Sequence, residues 1–344
     1  MISKMTNAIS KKKPSYKISE PLKDYLFNYN RLVKIPFSYS ELQRFFSTLP
    51  NKDKHGKDTL WETVMFQPSE MEDIHHRLVK MYAMMKFDGN ESLMEHLRVD
   101  RVDYCVFGNS KPFRIRIVND FNDNHDYYYV KIADASRVYG LELEDILSPN
   151  RISFLVDGET LVEEHIVGIP GDMFMGDEYR WLQANEVRMA KEFVKFNERC
   201  FVRLLGDMRS YNFVIDVTAD FDDVQYRFRA IDFDQQCYEG RMKLYMPHFF
   251  KENKYFVDIG IKHMNVETMQ QYQQEERTMM AKRLMRANKR TGRLLDAMCG
   301  DTLSLTEKET HLKKELKTHY KHPEFLKCNN MGDIMRVSLE LLAK

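Results

Sequence analysis

Apolar residues recur at helical spacing towards both ends of the chain and alternate with polar residues in the middle. In residues 69–86 the apolar positions are three or four residues apart, which places them on one face of a helix. These positions are Met71, Ile74, Leu78, Met81 and Met85. The stretch from about residue 20 to 95 is therefore predicted to be mostly helical, after a basic, mobile start.

The period changes near residue 100, where short runs rich in β-branched and aromatic residues replace the helical pattern. Residues 113–118 alternate Phe and Ile with Arg, which is typical of a strand buried on one face. Asp157-Gly158 separates two further runs and predicts a hairpin turn. A helix over 135–147 is predicted between the third and fourth runs. The predicted strands of this antiparallel sheet are residues 102–108, 113–118, 126–134, 151–156 and 159–167.

Helical patterns return beyond Gly168 and are interrupted once. Residues 181–205 are long enough for one or two helices, and residues 265–344 for several. Between them, residues 212–217 and 226–233 have strand patterns joined by the acidic turn TADFDD. The second half of the chain is therefore predicted to be helical with one inserted hairpin.

Together these patterns predict an α+β protein in three parts: a helical N-terminal extension with a mobile basic start over residues 1–95, a small antiparallel β lobe with one helix over 96–166, and a larger helical lobe over 167–344. The chain has 344 residues, of which 43% are hydrophobic, enough for a sizeable core. Charged residues make up 30% but balance to zero, so the bulk charge does not favour a polyanion.

The cysteine spacing and the N-terminus bear on the compartment. The five cysteines lie far apart without a C-x-x-C pair, so reduced thiols are predicted rather than disulfides or a zinc site. The N-terminal segment is basic but lacks the apolar stretch of a signal peptide. No apolar run approaches the ~20 residues of a membrane span. These features predict a soluble, cytoplasmic protein with no membrane partner.

The residues with the clearest chemistry lie in LLGDMRSYNFVI and, about 20 residues later, in RAIDFDQQ. Phosphoryl transfer needs a carboxylate beside the acceptor hydroxyl and oxygen ligands for Mg²⁺. Asp207 and Asn212 lie five residues apart on a loop that leads into a predicted strand. Asp232 ends the partner strand, so a hairpin would return it beside Asn212.

These motifs resemble the protein-kinase-like superfamily, whose catalytic loop runs D-x-x-x-x-N and whose metal aspartate lies in D-F-G. Gly206-Asp207 and Ile231–Asp234 are more similar to the aminoglycoside phosphotransferase and choline kinase branch. The resemblance implies a two-lobed kinase-like fold, with Asp207 as the catalytic aspartate and Asn212 and Asp232 as Mg²⁺ ligands. Arg209 stands where the superfamily places a cation near the transferred phosphate, which suits the developing charge.

The resemblance also assigns ATP-binding roles upstream. Lys131, in the middle of YYYVKIAD, would be the strand lysine that reaches the α- and β-phosphates. Its helix-borne ion-pair partner would be Glu142, with Glu144 as the alternative because Gly140 blurs the helix register. The backbone from Glu164 through His165 to Ile166 would face adenine.

The sequence departs from the superfamily pattern at three places, one of which is Leu205, where many relatives carry His or another polar residue before the G-D. The loop between the first two strands of the β lobe carries only Gly108, so no G-x-G-x-x-G cradle is visible. Asp234 replaces the final glycine of D-F-G, which matches the small-molecule branch and could add a metal ligand.

Residues 277–293 contain seven Lys or Arg residues and no acid. Treated as one helix, they place apolar residues on one face and Lys282, Arg286, Lys289 and Arg293 on the other. A packed helix with a solvated outer face is one interpretation, and a docking surface for an anionic partner is the other. The lack of interleaved aromatic residues disfavours nucleic acid.

The predicted function is an ATP- and Mg²⁺-dependent phosphotransferase that moves the γ-phosphoryl group to a hydroxyl of an acceptor. The G-D and I-D-F-D motifs favour a small-molecule acceptor over a protein. Three alternatives stay open: a kinase-like nucleotide-binding scaffold or switch without transfer, transfer of AMP to a protein, and an α+β interaction protein with chance motifs.

Overall fold

A computed structural model of the protein describes residues 13–53, 55–87, 89–106, 110–176, 185–220 and 223–342. The described chain forms two compact units. The first comprises the chain up to Ile18, Leu26–Asp134 and Ser153–His165. The second comprises Ser19–Tyr25, Ala135–Ile152 and the chain from Ile166 onward. The basic start over residues 1–12 and Gly108, on which two predictions fall, lie outside the described residues.

The first part of the chain combines three helices with a seven-stranded antiparallel sheet. The helices are α1 (Glu20–Asn28), α2 (Tyr39–Leu42) and α3 (Pro68–Lys86). The strands are β1 (Ser47–Lys52), β2 (Asp58–Met65), β3 (Leu97–Cys105), β4 (Phe113–Asn119), β5 (His125–Ile132), β6 (Phe154–Asp157) and β7 (Thr160–Glu164). Their order is β1-β2-β3-β4-β5-β7-β6, and each neighbouring pair is antiparallel.

The core of the first unit lies between α3 and one face of this sheet. Ile74 and Leu78 of α3 are buried, as the three- and four-residue spacing predicts. On β4, Ile115 and its alternate neighbours point into the same cluster. The Tyr128 hydroxyl donates to the Leu78 carbonyl at 2.9 Å, which joins the helix to β5. The alternating pattern thus positions the predicted strands of the β lobe.

The prediction that residues 1–95 form a helical extension is wrong for residues 47–52 and 58–65. These residues form β1 and β2, and β2 pairs with β3, so they extend the sheet. β1 is an edge strand with no fully buried residue, and it contains Pro50, which cannot donate a ladder hydrogen bond. A strand that buries neither face has no two-residue apolar period, which explains why the pattern missed it.

Besides the part of α1 up to Tyr25, the second unit contains eight α-helices and a three-stranded sheet within the described residues. The helices are α4 (Ala135–Leu147), α5 (Gly171–Phe174), α6 (Glu186–Val202), α7 (Lys254–His263), α8 (Val266–Arg286), α9 (Asn288–Gly300), α10 (Thr306–Tyr320) and α11 (Met331–Glu340). The strands are β8 (Ile169–Pro170), β9 (Phe213–Asp220) and β10 (Asp223–Ala230), in the antiparallel order β10-β9-β8. α4, predicted as part of the β lobe, belongs to this unit.

An aromatic cluster fixes the β9–β10 hairpin in the second unit. Phe213 of β9 and Phe228 of β10 have ring centroids 5.5 Å apart, and both rings contact Phe196 of α6 and Phe256 of α7. The inserted hairpin and the helices beyond residue 265 are therefore confirmed, and with the seven-stranded sheet they confirm the α+β class. Residues 221 and 222 of the predicted acidic turn lie outside the described residues.

The basic segment 277–293 is not one helix, because α8 ends at Arg286 and α9 begins at Asn288. The predicted outer face is nevertheless exposed at Lys282, Arg286, Lys289 and Arg293.

Within the described residues, no helix combines the length and apolar character that crossing a membrane requires.

Candidate functional site

The loop over residues 204–212 is held against the segment that follows β10. Leu205 forms an isolated bridge with Gln236, and the Cys237 N–H donates to the Leu204 carbonyl at 2.9 Å. The Gly206 N–H donates to the Gln235 carbonyl at 3.3 Å. The loop that carries Asp207 and the segment that begins with Asp232 therefore run side by side.

Asp207 has a left-handed backbone conformation, with φ of 57°. Asp tolerates this region better than most residues because its short polar side chain can bond locally. Its carbonyl accepts from the Arg209 N–H at 2.8 Å and from Asn212 Nδ2 at 2.7 Å. The Asn212 side chain thus closes the loop onto Asp207.

Asn212 and Asp232 lie at the same end of the β9–β10 hairpin. The Ile231 N–H donates to the Asn212 carbonyl at 3.0 Å, which continues the ladder one step beyond Phe213 and Ala230. Because Asn212 Nδ2 is used by Asp207, the amide oxygen remains available as an acceptor. The structure therefore brings Asp207, Asn212 and Asp232 into one region, as the hairpin spacing predicts.

Arg209 links Asp207 to a carboxylate that the sequence does not point to. Its Nε donates to Asp207 Oδ1 at 2.7 Å, and its Nη1 donates to Glu252 Oε1 at 2.9 Å. Burial raises the pKa of the Asp207 carboxyl above its ordinary value. The Arg209 guanidinium opposes this shift, whereas Glu239 and Glu252 add to it. Asp207 is thus a half-exposed carboxylate that holds its proton more strongly than a free aspartate.

Asp234 is buried and paired with a cation rather than open to a ligand. Arg137 of α4 donates from Nε to Asp234 Oδ1 at 2.5 Å. The Asp234 N–H donates to Asp232 Oδ1 at 2.9 Å. Arg137 therefore anchors the segment that carries Asp232, and the positive charge of Arg137 offsets the negative charge of Asp234.

Lys131 lies in the first unit and pairs with Glu163, which corrects the prediction of Glu142 as its partner. Lys131 Nζ donates to Glu163 Oε2 at 2.6 Å, and both side chains are buried. Lys131 stands opposite Leu161 in the β5–β7 ladder, so Glu163 is its diagonal neighbour on the same sheet face. Cross-strand register, which the sequence leaves open, determines the pair.

Glu142 and Glu144 have other partners, all in the second unit. Glu142 is fully buried and accepts from the Arg290 guanidinium at 2.6 and 3.1 Å and from the Tyr25 hydroxyl. Glu144 forms a buried ion pair with Arg203. Burial lowers the pKa of the Arg203 guanidinium to about 9. Both glutamates thus tie α4 to its own unit.

The segment predicted to face adenine follows the end of β7. Glu164 is the last residue of that strand and pairs with Tyr128. The His165 ring lies 3.3 Å from the Tyr129 hydroxyl at Nδ1, and burial lowers the pKa of His165. His165 ends the first unit and Ile166 resumes the second. The predicted residues therefore lie at the point where the chain leaves the seven-stranded sheet.

Among the residues that the structure describes, no group of three or more His, Cys, Asp or Glu side chains is arranged to hold a metal ion. Asn212 and Asp232 supply two hard oxygen donors, and Mg²⁺ commonly takes one or two carboxylates together with substrate phosphates and water. The donor chemistry of this pair therefore fits Mg²⁺ bound with a nucleotide.

Compared with known proteins, the chain matches no protein-family model and no curated protein.

Proposed function

We propose that the chain is an ATP- and Mg²⁺-dependent phosphotransferase with a two-lobed kinase-like fold, which moves the γ-phosphoryl group to a hydroxyl acceptor. The observation that supports this proposal most directly is the hydrogen bonding of the loop. The Asn212 side chain donates to the Asp207 carbonyl, and the Ile231 N–H, one residue before Asp232, donates to the Asn212 carbonyl. The G-D and I-D-F-D motifs favour a small-molecule acceptor.

Asp207 would accept the proton of the acceptor hydroxyl. Its Oδ1 is engaged by Arg209, which leaves Oδ2 to receive the hydroxyl. A carboxylate with a raised pKa is a stronger base, and proton transfer is more effective as the pKa nears the working pH. The left-handed backbone at Asp207, fixed by the Asn212 side chain, would orient the carboxylate before the acceptor arrives.

Asn212 and Asp232 would hold Mg²⁺ through the Asn212 amide oxygen and the Asp232 carboxylate. When bound there, Mg²⁺ would supply positive charge against the charge that develops on the phosphate oxygens. Arg137 would support this function indirectly, because its pairing with Asp234 fixes the backbone next to Asp232.

Lys131 and Arg209 would bind phosphate oxygens. The Lys131 ammonium has three donors, so it can keep Glu163 and still bond a phosphate. Arg209 would exchange Glu252 for the transferred phosphoryl group while its Nε remains on Asp207. By resemblance, the backbone from Glu164 to Ile166 would take the adenine.

A nucleotide-binding switch without transfer is the second candidate. The observation that favours it is the engagement of Arg209 by two carboxylates, Asp207 and Glu252, which leaves this cation committed within the protein. Transfer of AMP would use the same metal site and differ only in the phosphate attacked. Product analysis with ATP labelled at the α- or γ-phosphate separates phosphoryl transfer, AMP transfer and simple binding.

The proposal is tested first by thermal unfolding with and without Mg²⁺-ATP. A ligand that binds only the native state raises the free energy of unfolding through linkage, by about 2.7 kcal/mol at a hundredfold excess over Kd, and the unfolding midpoint rises with it. We expect a Mg²⁺-dependent rise that Asp232→Ala abolishes. The matched control is Asp258→Ala, which removes an exposed carboxylate of α7 from the same unit and should keep the rise. Absence of any shift at millimolar nucleotide would count against the nucleotide site.

A further inference from the structure

Four cations on the outer face of α8 and α9 are left without a partner in the described part of the chain. Of the seven cations in residues 277–293, three are used internally. Arg277 pairs with Glu198 at 2.6 Å, Arg283 donates to the Leu147 carbonyl at 3.2 Å, and Arg290 pairs with Glu142 at 2.6 Å. The four unpaired cations are Lys282, Arg286, Lys289 and Arg293, and all are exposed.

A cavity of about 390 Å³ lies beside these cations, between α8, α9 and α11. Its apolar lining comes from Leu284 and Met285 of α8, Leu295 of α9 and Leu339 of α11. Leu295 and Leu339 are buried, whereas Met285 is 64% exposed. An apolar floor with an exposed methionine at its edge suits contact with another apolar surface.

The cations form one border of this cavity. On a helix, residue 293 lies about 100° from residue 292, which lines the cavity, and residue 289 lies about 60° from it. Lys282 and Arg286 continue the border on α8. The stripe consists of two pairs, Lys282 and Arg286 on α8 and Lys289 and Arg293 on α9, and the members of each pair are four residues or ~6 Å apart along their own helix. The far border is different, since Arg336 is paired with Asp296 and Glu340 is exposed there.

We propose that this groove, lined by α8, α9 and α11, docks an acidic amphipathic helix of a partner protein. The helix places apolar side chains in the cavity and a neighbouring row of Glu or Asp against the four cations. The one-sided charge fixes which way the helix is rotated about its axis. The cavity requires apolar side chains, which a nucleic acid lacks, and no aromatic residue interleaves with the cations for base stacking.

The test is fluorescence anisotropy of the full chain with a labelled synthetic helix of about 15 residues, which covers the stripe. The helix carries leucines at every third or fourth position and glutamates on the adjacent face. A scrambled peptide of the same composition is the control. We expect the patterned helix to bind about tenfold or more tightly than the scrambled one, and to weaken as salt rises from about 50 to about 300 mM.

Two variants at the groove, Gly292→Phe and reversal of the four cations to glutamate, test whether the helix binds there. Gly292→Phe places a ring at the lining of the cavity, and because a Cβ at this position meets no atom within 4 Å we expect the variant to fold. Gly300→Phe, at the exposed end of the same helix and also in open space, is the matched control. Reversal of the four cations to glutamate and Gly292→Phe should each weaken binding about tenfold or more, while Gly300→Phe changes nothing.

Equal binding of the scrambled peptide, or patterned-helix binding that survives both site variants, overturns the proposal. So does a result in which oligouridylate or phosphatidylserine vesicles bind the cations while the patterned helix does not.

Discussion

The buried ion pair between Glu142 and Arg290 should be a main support of α4, and its removal should be asymmetric. Glu142 is fully buried, whereas the Arg290 side chain is 25% exposed and also pairs with Asp145 at 2.9 Å. Burial alone would lower the pKa of Arg290, but Glu142 and Tyr25 raise it overall. The charge of Glu142 therefore depends on Arg290 more than the charge of Arg290 depends on Glu142.

Breaking a buried pair by removing one member costs about 3–5 kcal/mol, because the other charge is left uncompensated. Arg290→Met removes the Arg290 cation from the buried Glu142 carboxylate, so we expect a loss near the top of that range. In Glu142→Gln, Arg290 keeps Asp145 and part of its hydration, so we expect about 2–3 kcal/mol. The double variant Glu142→Met/Arg290→Met removes both members of the pair, so its loss should be well below the sum of the two single losses.

Urea unfolding followed by circular dichroism measures all three free energies. Equal losses in the two single variants, or an additive double variant, would refute this account of the pair. The same preparations test the role of Glu142, which the sequence predicts as the partner of Lys131. Because Glu142 is engaged by Arg290, we expect Mg²⁺-ATP to stabilise Glu142→Gln as much as the parent chain.

Two further predictions concern the loop of the proposed active site. The Arg209 guanidinium lowers the Asp207 pKa against the effect of burial, so Arg209→Gln should raise that pKa further. Because Asp207 must be ionised to accept a proton, the acidic limb of the kcat/KM profile should then move to higher pH. Lys327→Gln removes an exposed cation elsewhere and should leave the limb in place; no movement in Arg209→Gln would contradict the assignment. Gly171→Ala would place a Cβ 2.6 Å from the Ser210 carbonyl oxygen. It should therefore lower the free energy of unfolding by about 1–3 kcal/mol and weaken the stabilisation by Mg²⁺-ATP. Urea unfolding identical to that of the parent chain would contradict this contact.

Local patterns predicted the parts of the fold that bury one face. Strand β4 was predictable because the buried Ile115 and Ile117 alternate with partly buried arginines, and the β9–β10 hairpin because its two strands are adjacent in sequence. β1 could not be found in this way, since its burial follows no two-residue period. Its place in the sheet depends on pairing with β2, which packing decides rather than pattern.

In the candidate site too, contacts between residues close in sequence could be predicted, and contacts that depend on packing or strand register could not. Asp207 and Asn212 lie in the loop before the β9–β10 hairpin and Asp232 in the segment directly after it, so their proximity followed from local spacing. Glu252 reaches Arg209 across about forty residues, and Glu163 reaches Lys131 through strand register; neither contact has a local signal. The alternation of TLVEEHIV placed Glu163 and not Glu164 on the face of Lys131, but only once the register was known.

The loop that holds Asp207 also sets a limit on how stable this protein can become. Leu204, Asp207 and Cys237 all have left-handed backbones without being glycine, and such positions cost of order 1–3 kcal/mol each. Leu204 and Cys237 are fully buried, so the packing of their side chains maintains the conformation. Glycine at these positions would relieve the cost and add freedom to the backbone that aims Asp207. Thermostability and preorganisation are therefore competing properties of this loop, and stabilising substitutions are best sought elsewhere in the chain.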